Sequence, residues 1–173
     1  MHFVRKVADE CRGLPLAIHV VAATMRGKTH VNEWNLALTQ MQDQKFRTSY
    51  LRTVDHLYQI LEWSYERLPD DNFKSCFLYC AMFPRDHEIE VEMMLGMWNA
   101  EGLVKSMDCG QSYIKLLVDR CFFQVIRVPH GKVFVKTYNP LLDLAIYIGN
   151  REEHCLSMAG GQVQNFAGGD PVE

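Results

Sequence analysis

Cys76 and Cys80 stand four residues apart in the stretch NFKSCFLYCAMFPRD. Thiols at i and i+4 share one face of a helix and could fill two corners of a tetrahedral zinc site. Such a site needs two further ligands. The nearest candidate, His87, lies beyond the helix stop at Phe83-Pro84 and has no second ligand beside it. The same helical face carries Phe73, Phe77 and Ala81, so both cysteines read as small buried hydrophobes. No metal site is expected.

Gly27-Lys28-Thr29 has the closing residues of a phosphate-binding loop, G-x-x-x-x-G-K-[ST]. The loop's first glycine would fall at Ala22, inside an apolar helical run, so backbone N–H groups cannot wrap a phosphate there. No complete P-loop occurs in the sequence, and no G-x-S-x-G or H-E-x-x-H spacing marks a hydrolase. The seven histidines are dispersed; His19, on an apolar helix, reads as a core or edge residue rather than a ligand. No catalytic residue is assigned, and an enzyme acting alone is not expected.

These residues sit in 173 positions, room for one domain of ordinary size or one small domain plus a further piece. Hydrophobic residues make up 48% and charged ones 23%, as in a globular, core-forming chain. The net charge of -3 gives no basic field to gather nucleic acid or an anionic membrane. The longest apolar run, Leu14 to Met25, is broken by His19 and is shorter than the ~20 residues of a bilayer span. With no signal peptide at the start, the six cysteines are expected to be reduced thiols.

The periodicity supplies the elements. Val4, Val7, Ala8 and Cys11 form one helical stripe, which Gly13 can stop. Pro15 opens a second helix, with Leu16, Ala17, Val20, Val21 and Thr24 on its apolar face. Asn32 is the expected cap of a third, bearing Trp34, Ala37, Leu38 and Met41. Residues 43–56 read as a linker. Leu57, Leu61, Ser64, Tyr65 and Leu68 mark the next helix, and Asp71 or Asn72 caps the cysteine helix. Helices follow on Val91, Met94, Leu95 and Trp98, then on Ile114, Leu117, Val118 and Cys121.

The period then switches to alternation. FFQVIRV and KVFVK, joined by a turn, read as a β-hairpin. Asn139-Pro140 reads as the cap and first position of a last helix, with Leu141, Leu144, Ala145 and Ile148 inside. The expected fold is mainly α: a helical-bundle piece over 1–42, then a winged-helix domain over 57–150 with a small hairpin, then a connector over 151–173.

A winged helix can lay a helix in a DNA major groove. The helix before the hairpin offers Lys115 and Arg120 but also Asp119, and the wing adds Arg127, Lys132 and Lys136. That is thin for a binding mode that depends on several phosphate contacts together. A DNA-binding regulator is the alternative reading, but no nucleic-acid partner is expected.

The stretches CRGLPLAIHVVAATMRGK, LEWSYERLPDDNFKSCFLYCAMFPRDHEIEVEMMLGMWNAEGLV and VKTYNPLLDLAIYI, in that order, strongly resemble plant disease-resistance proteins. These are intracellular nucleotide-binding, leucine-rich-repeat immune receptors, and the likeness is to their coiled-coil subclass. The resemblance implies that residues 1–42 are the last helices of the NB-ARC helical subdomain and that the CFLYCAMFPRD block is a core helix of the winged-helix domain. It further implies a cytoplasmic switch that holds ADP at rest and ATP when active, and a receptor oligomer on activation.

By that resemblance, Gly13, Leu14, Pro15 and Leu16 match the family's Gly-Leu-Pro-Leu motif, whose proline packs beside the adenine. A Met-His-Asp motif normally brings a histidine to the ADP β-phosphate; Thr137, Tyr138 and Asn139 stand in its place. Tyr138 can donate one hydrogen bond but cannot carry an imidazolium's charge. The P-loop domain, the coiled coil and the leucine-rich repeats are expected as intramolecular partners outside this sequence, whose first residue falls in mid-module. A remnant of a resistance gene would look the same. Taken alone, these residues are expected to hold no ADP or ATP, and no membrane segment is expected.

Overall fold

Two consecutive residues with left-handed backbone, Arg12 (φ 48°) and Gly13 (φ 71°), end the first helix and turn the chain into the second. The computed structural model describes residues 2–42, 55–128 and 131–152. Helix α1 (His2–Glu10) packs against α3 (Val31–Gln42), with α2 (Pro15–Thr24) between them in sequence. Val4 and Ala8 do not share the α1 stripe as expected: both are exposed, and Phe3, Val7 and Cys11 make the inner face. A helix covered mainly by one neighbour needs only a narrow apolar seam, here with steps of four.

Helix α3 starts before the expected cap, at Val31. The Glu33 carboxylate accepts from the His30 backbone N–H at 3.3 Å, one half of a capping box, while the His30 carbonyl accepts from Glu33 N at 3.1 Å, so His30 is the capping residue. Of the expected linker, residues 43–54 lie outside the described residues, and α4 (Asp55–Tyr65) already includes Asp55 and His56. Residues 153–173 of the expected connector also lie outside them.

Helix α4 is apolar on two sides and buried on both. Ile60 and Trp63 belong to a small core with Val7, Cys11, Ala17, Val21, Ala37 and Met41. Tyr58, Leu61, Tyr65 and Leu68 belong to the large core of the second half. A helix apolar on two sides has to be covered on both, and its buried Glu62 is paired with Arg151 at 2.8 Å. Val20 of α2 also reaches the large core, so both α2 and α4 carry residues of both clusters.

The cysteine helix α5 (Asp71–Leu78) is capped by Asp70, one residue ahead of the expected Asp71 or Asn72; its carboxylate accepts from Phe73 N at 3.0 Å. The helix tightens into a 3₁₀ turn over Tyr79–Met82. Phe77 is the hub of the core, with an edge-to-face contact to Phe122 at 4.8 Å and a tilted one to Tyr65 at 5.8 Å. Such aromatic pairs add to the area they bury.

Helices α6 (Val91–Ala100) and α7 (Met107–Asp119) follow, the second capped by the Ser106 side chain on Cys109 N. Cys121, expected on the helical stripe, lies beyond α7 with left-handed φ of 61°. Strands β2 (Phe123–Arg127) and β3 (Val133–Thr137) form the expected antiparallel hairpin, with Val125 opposite Val135. A short strand β1 (Ile89–Glu90), which the alternation rule missed at two residues long, pairs antiparallel with β3 and gives the order β1-β3-β2. Helix α8 (Asn139–Glu152) closes the large core with Leu141, Leu144, Ala145 and Ile148. The architecture is mainly α, with a winged helix in its second half. No described helix is long and apolar enough to cross a membrane.

Candidate functional site

Residues 13–16 sit where α1 gives way to α2. Leu14 N donates to the Cys11 carbonyl at 2.9 Å, closing the turn that the left-handed pair opens. Leu14 then caps α2 in extended backbone, its carbonyl accepting from Ile18 N at 3.0 Å. Pro15 takes the first helical position, where its missing N–H leaves no bond unmade. Leu14 and Pro15 are exposed, whereas Leu16 is half-buried against the large core. The result is an apolar edge held rigidly from behind.

Tyr138 sits between β3 and α8. On one side Thr137 is buried, its hydroxyl donating to the Phe122 carbonyl at 3.0 Å. On the other, the Tyr138 carbonyl accepts from the N–H groups of Leu141 and Leu142, both at 2.9 Å. The backbone is therefore fixed, while the side chain is 39% exposed. Asn139 is not the cap that the sequence led us to expect. The helix already includes it, its Nδ2 donates sideways to Asp86 Oδ2 at 3.4 Å, and its buried Oδ1 has no hydrogen-bond partner.

Asp86, which sequence reasoning did not single out, also pairs with Lys136 Nζ at 2.9 Å. It therefore grips the chain on both sides of Tyr138. Bonds from Lys136 and then Asn139 hold its carboxyl below the ordinary aspartate range. Next to it, Arg85 pairs with Asp143 of α8, which also accepts from the Tyr58 hydroxyl at 3.1 Å. Burial, followed by the nearby Asp143 charge, raises the Tyr58 phenol above its usual value. These are contacts between residues far apart in sequence, which no local motif announces.

Among the described residues, no hydrogen bond, ion pair or ring contact joins Tyr138 to residues 13–16. They share a mounting instead, since Leu16 and the start of α8 both pack on the large core. The Leu14–Pro15 edge presents an exposed apolar surface. The Tyr138 end offers one neutral donor, its exposed phenol, while the Asn139 Oδ1 next to it is buried.

Cys76 and Cys80 are buried, and burial pushes the Cys80 thiol far up. His87 stacks on Phe83 at 5.5 Å. No group of three or more metal-ligating side chains occurs among the described residues. Gly27 ends its turn at φ 78°; the Lys28 ammonium pairs with Glu33 at 2.9 Å and the Lys28 carbonyl accepts from Trp34 Nε1 at 3.0 Å. On the winged helix, Lys115 is paired with Asp119, Lys132 with Glu90 and Lys136 with Asp86.

Residues 82–145 match the family model described as the disease resistance protein winged helix domain, which is not a catalytic domain. Over 167 residues the chain is 32% identical to the disease resistance protein RPS5 of Arabidopsis thaliana, covering 90% of the chain and 18% of that protein. It is 30% identical over 167 residues to SUMM2 of the same plant, again covering 90% and 18%. The disease resistance protein UNI of Arabidopsis thaliana is 43% identical over 107 residues, 60% of the chain and 12% of that protein. The chain thus spans about a fifth, or less, of the length of these relatives.

Proposed function

Since the chain belongs to the plant disease-resistance protein family and carries its winged-helix domain, we propose that it is the regulatory switch region of an immune receptor. It works by intramolecular contact with a nucleotide-binding domain and with leucine-rich repeats, in the cytoplasm, and it catalyses nothing itself. The nucleotide domain holds ADP at rest and ATP when active, and the winged helix closes on the resting form.

The observation that carries this reading is the two-sided burial of α4 and α2. Leu16 and the start of α8, which follows Tyr138, both pack on the large core, while Ile60 and Trp63 of α4 belong to the core of the first three helices. A displacement of the winged helix is therefore felt at the Pro15 edge. Leu14 and Pro15 would bear on the adenine, and Tyr138 would present its hydroxyl towards the phosphates. ADP, when bound, supplies the negative charge that a cation would recognise, and Tyr138 answers it with a neutral donor only.

Only a difference in affinity between two states shifts a switch. Replacing Tyr138 by histidine restores the option of a charge-assisted bond. In the chain joined to a matching nucleotide-binding domain, ADP should leave the Tyr138→His form about tenfold more slowly, a difference of ~1.4 kcal/mol. Equal dissociation rates would remove Tyr138 from the switch. At the Pro15 and Tyr138 site the chain alone should not bind ADP measurably, and it should not hydrolyse ATP, because consecutive N–H groups of a P-loop supply most phosphate affinity there.

A further inference from the structure

Three helices end at one place. The segments that follow α2, α4 and α7, together with the start of α3, surround a cleft of about 260 Å³ lined by Thr24, Lys28, Glu33, Leu36, Arg67 and Arg120 among others. We propose that this cleft binds a small phosphate-class anion, gripped by the guanidiniums of Arg67 and Arg120.

The cations converge from separate elements: Lys28 follows α2, Arg67 follows α4, and Arg120 follows α7. A helix C-terminus favours one cation in its last turn. That accounts for each residue singly, but not for three of them facing one concavity. Lys28 is shared with Glu33, so it offers least. Among the described residues, neither Arg67 nor Arg120 reaches a carboxylate; Arg67 stacks on Trp63 at 3.9 Å and donates to the Trp63 carbonyl at 3.3 Å.

Both arginines are half-buried, and burial disfavours their charged form, lowering Arg67 to about 10. Arg26 lies near enough to Arg120 to add like-charge repulsion. An anion in the cleft offsets both penalties, working against the helix C-termini and against the Glu33 carboxylate, which Lys28 neutralises. Guanidinium forks match phosphate oxygens in pairs, which a point-charge ammonium cannot do. Thr24 supplies a second sign of an unfilled site: the residue is 4% exposed, lines the cleft, and its hydroxyl has no hydrogen-bond partner.

Size narrows the ligand. The cleft falls below the roughly 300–1,000 Å³ of pockets for drug-sized molecules, so it takes a phosphoryl or pyrophosphoryl group rather than a nucleoside. It is also distinct from the Pro15 edge. At 1.5 Å per residue, the ten-residue α2 separates its two ends by about 15 Å.

The test is calorimetric titration of the full chain with inorganic pyrophosphate, with ionic strength held constant by sodium chloride. Saturable one-to-one binding is expected, weakened about tenfold by Arg120→Gln and by Arg67→Gln, because each removes a charge-assisted bond. Thr24→Val keeps the β-branched shape and should weaken it about threefold through loss of a neutral donor. Arg67 also packs on Trp63, so Arg120→Gln, checked for an unchanged melting curve, decides if the other variant unfolds. Heat that fails to saturate, or unchanged affinity in a folded Arg120→Gln protein, would overturn the site.

Discussion

Asp86 Oδ1 lies 2.9 Å from Lys136 Nζ, joining the loop after the 3₁₀ turn to the last strand. The second oxygen of Asp86 accepts from Asn139, so one carboxylate brackets Tyr138 from both sides. Asp86 itself holds a left-handed backbone, φ 61°, which aspartate tolerates better than most residues.

The Asp86 carboxyl should titrate below a free aspartate, and its titration should move back up in Lys136→Met and, less, in Asn139→Ala. The sign follows from linkage. A lowered folded value means that the contribution is present above the unfolded value and is lost as pH falls through the folded one. Carbon-detected NMR titration of the side chain reads this directly. An Asp86 value unmoved by Lys136→Met would contradict the bracket.

Thiol reactivity should follow burial. Cys11, Cys76 and Cys80 are buried, with Cys11 pushed up to about 11 mainly by that burial, while Cys109 and Cys121 are half-buried. Under native, reducing conditions an alkylating reagent should label Cys109 and Cys121 well before Cys11, Cys76 and Cys80, as read by peptide mass spectrometry. The purified chain should carry no stoichiometric zinc. One tightly bound zinc, lost with helicity on chelation, would reverse the structural reading of Cys76 and Cys80.

Because α4 serves two cores, damage to either of its faces should be felt by both. Ile60→Ala strikes the small core and Leu61→Ala the large one, at positions 2% and 0% exposed. Each should cost about 2–5 kcal/mol. In urea, the two halves should still unfold in one transition, followed by Trp63 and Trp98 fluorescence together. Separate transitions in either variant would show that the shared helix does not couple them.

At Gly110 two effects compete. Alanine in a helix gains about 0.8–1 kcal/mol over glycine. Here a Cβ would meet Leu95 Cδ2 at 2.5 Å, in a core where Leu95 is 1% exposed. Overpacking of this kind costs about 1–3 kcal/mol. Gly110→Ala should therefore be slightly destabilising in the wild type but stabilising by about 1 kcal/mol in a Leu95→Ala background. Denaturant midpoints of the four proteins measure it, and the same sign in both backgrounds would mean that α6 and α7 do not approach as described.

Much of this molecule is written in local pattern. The period of Leu57, Leu61 and Tyr65, the helix opening at Pro15 and the alternation in VFVKT each state which face is apolar, and the helices and hairpin follow. The buried role of Cys76 and Cys80 was legible for the same reason, as two phenylalanines share their face. Caps were less legible: Asp70, His30 and Tyr138 replaced expected neighbours, because several adjacent polar residues can satisfy the same few N–H groups.

Partners were decided only by the tertiary structure. Periodicity shows that α4 has apolar residues, but not that Ile60 and Leu61 face different cores. The two residues of β1 become a strand only because β3 lies alongside with free hydrogen-bonding groups. Asp86 and Asn139, 53 residues apart, and the cations around Thr24 meet only once the helices have packed. The physical reason is that burial depends on a residue's own type and spacing, whereas an ion pair or a cleft depends on where distant segments come to rest.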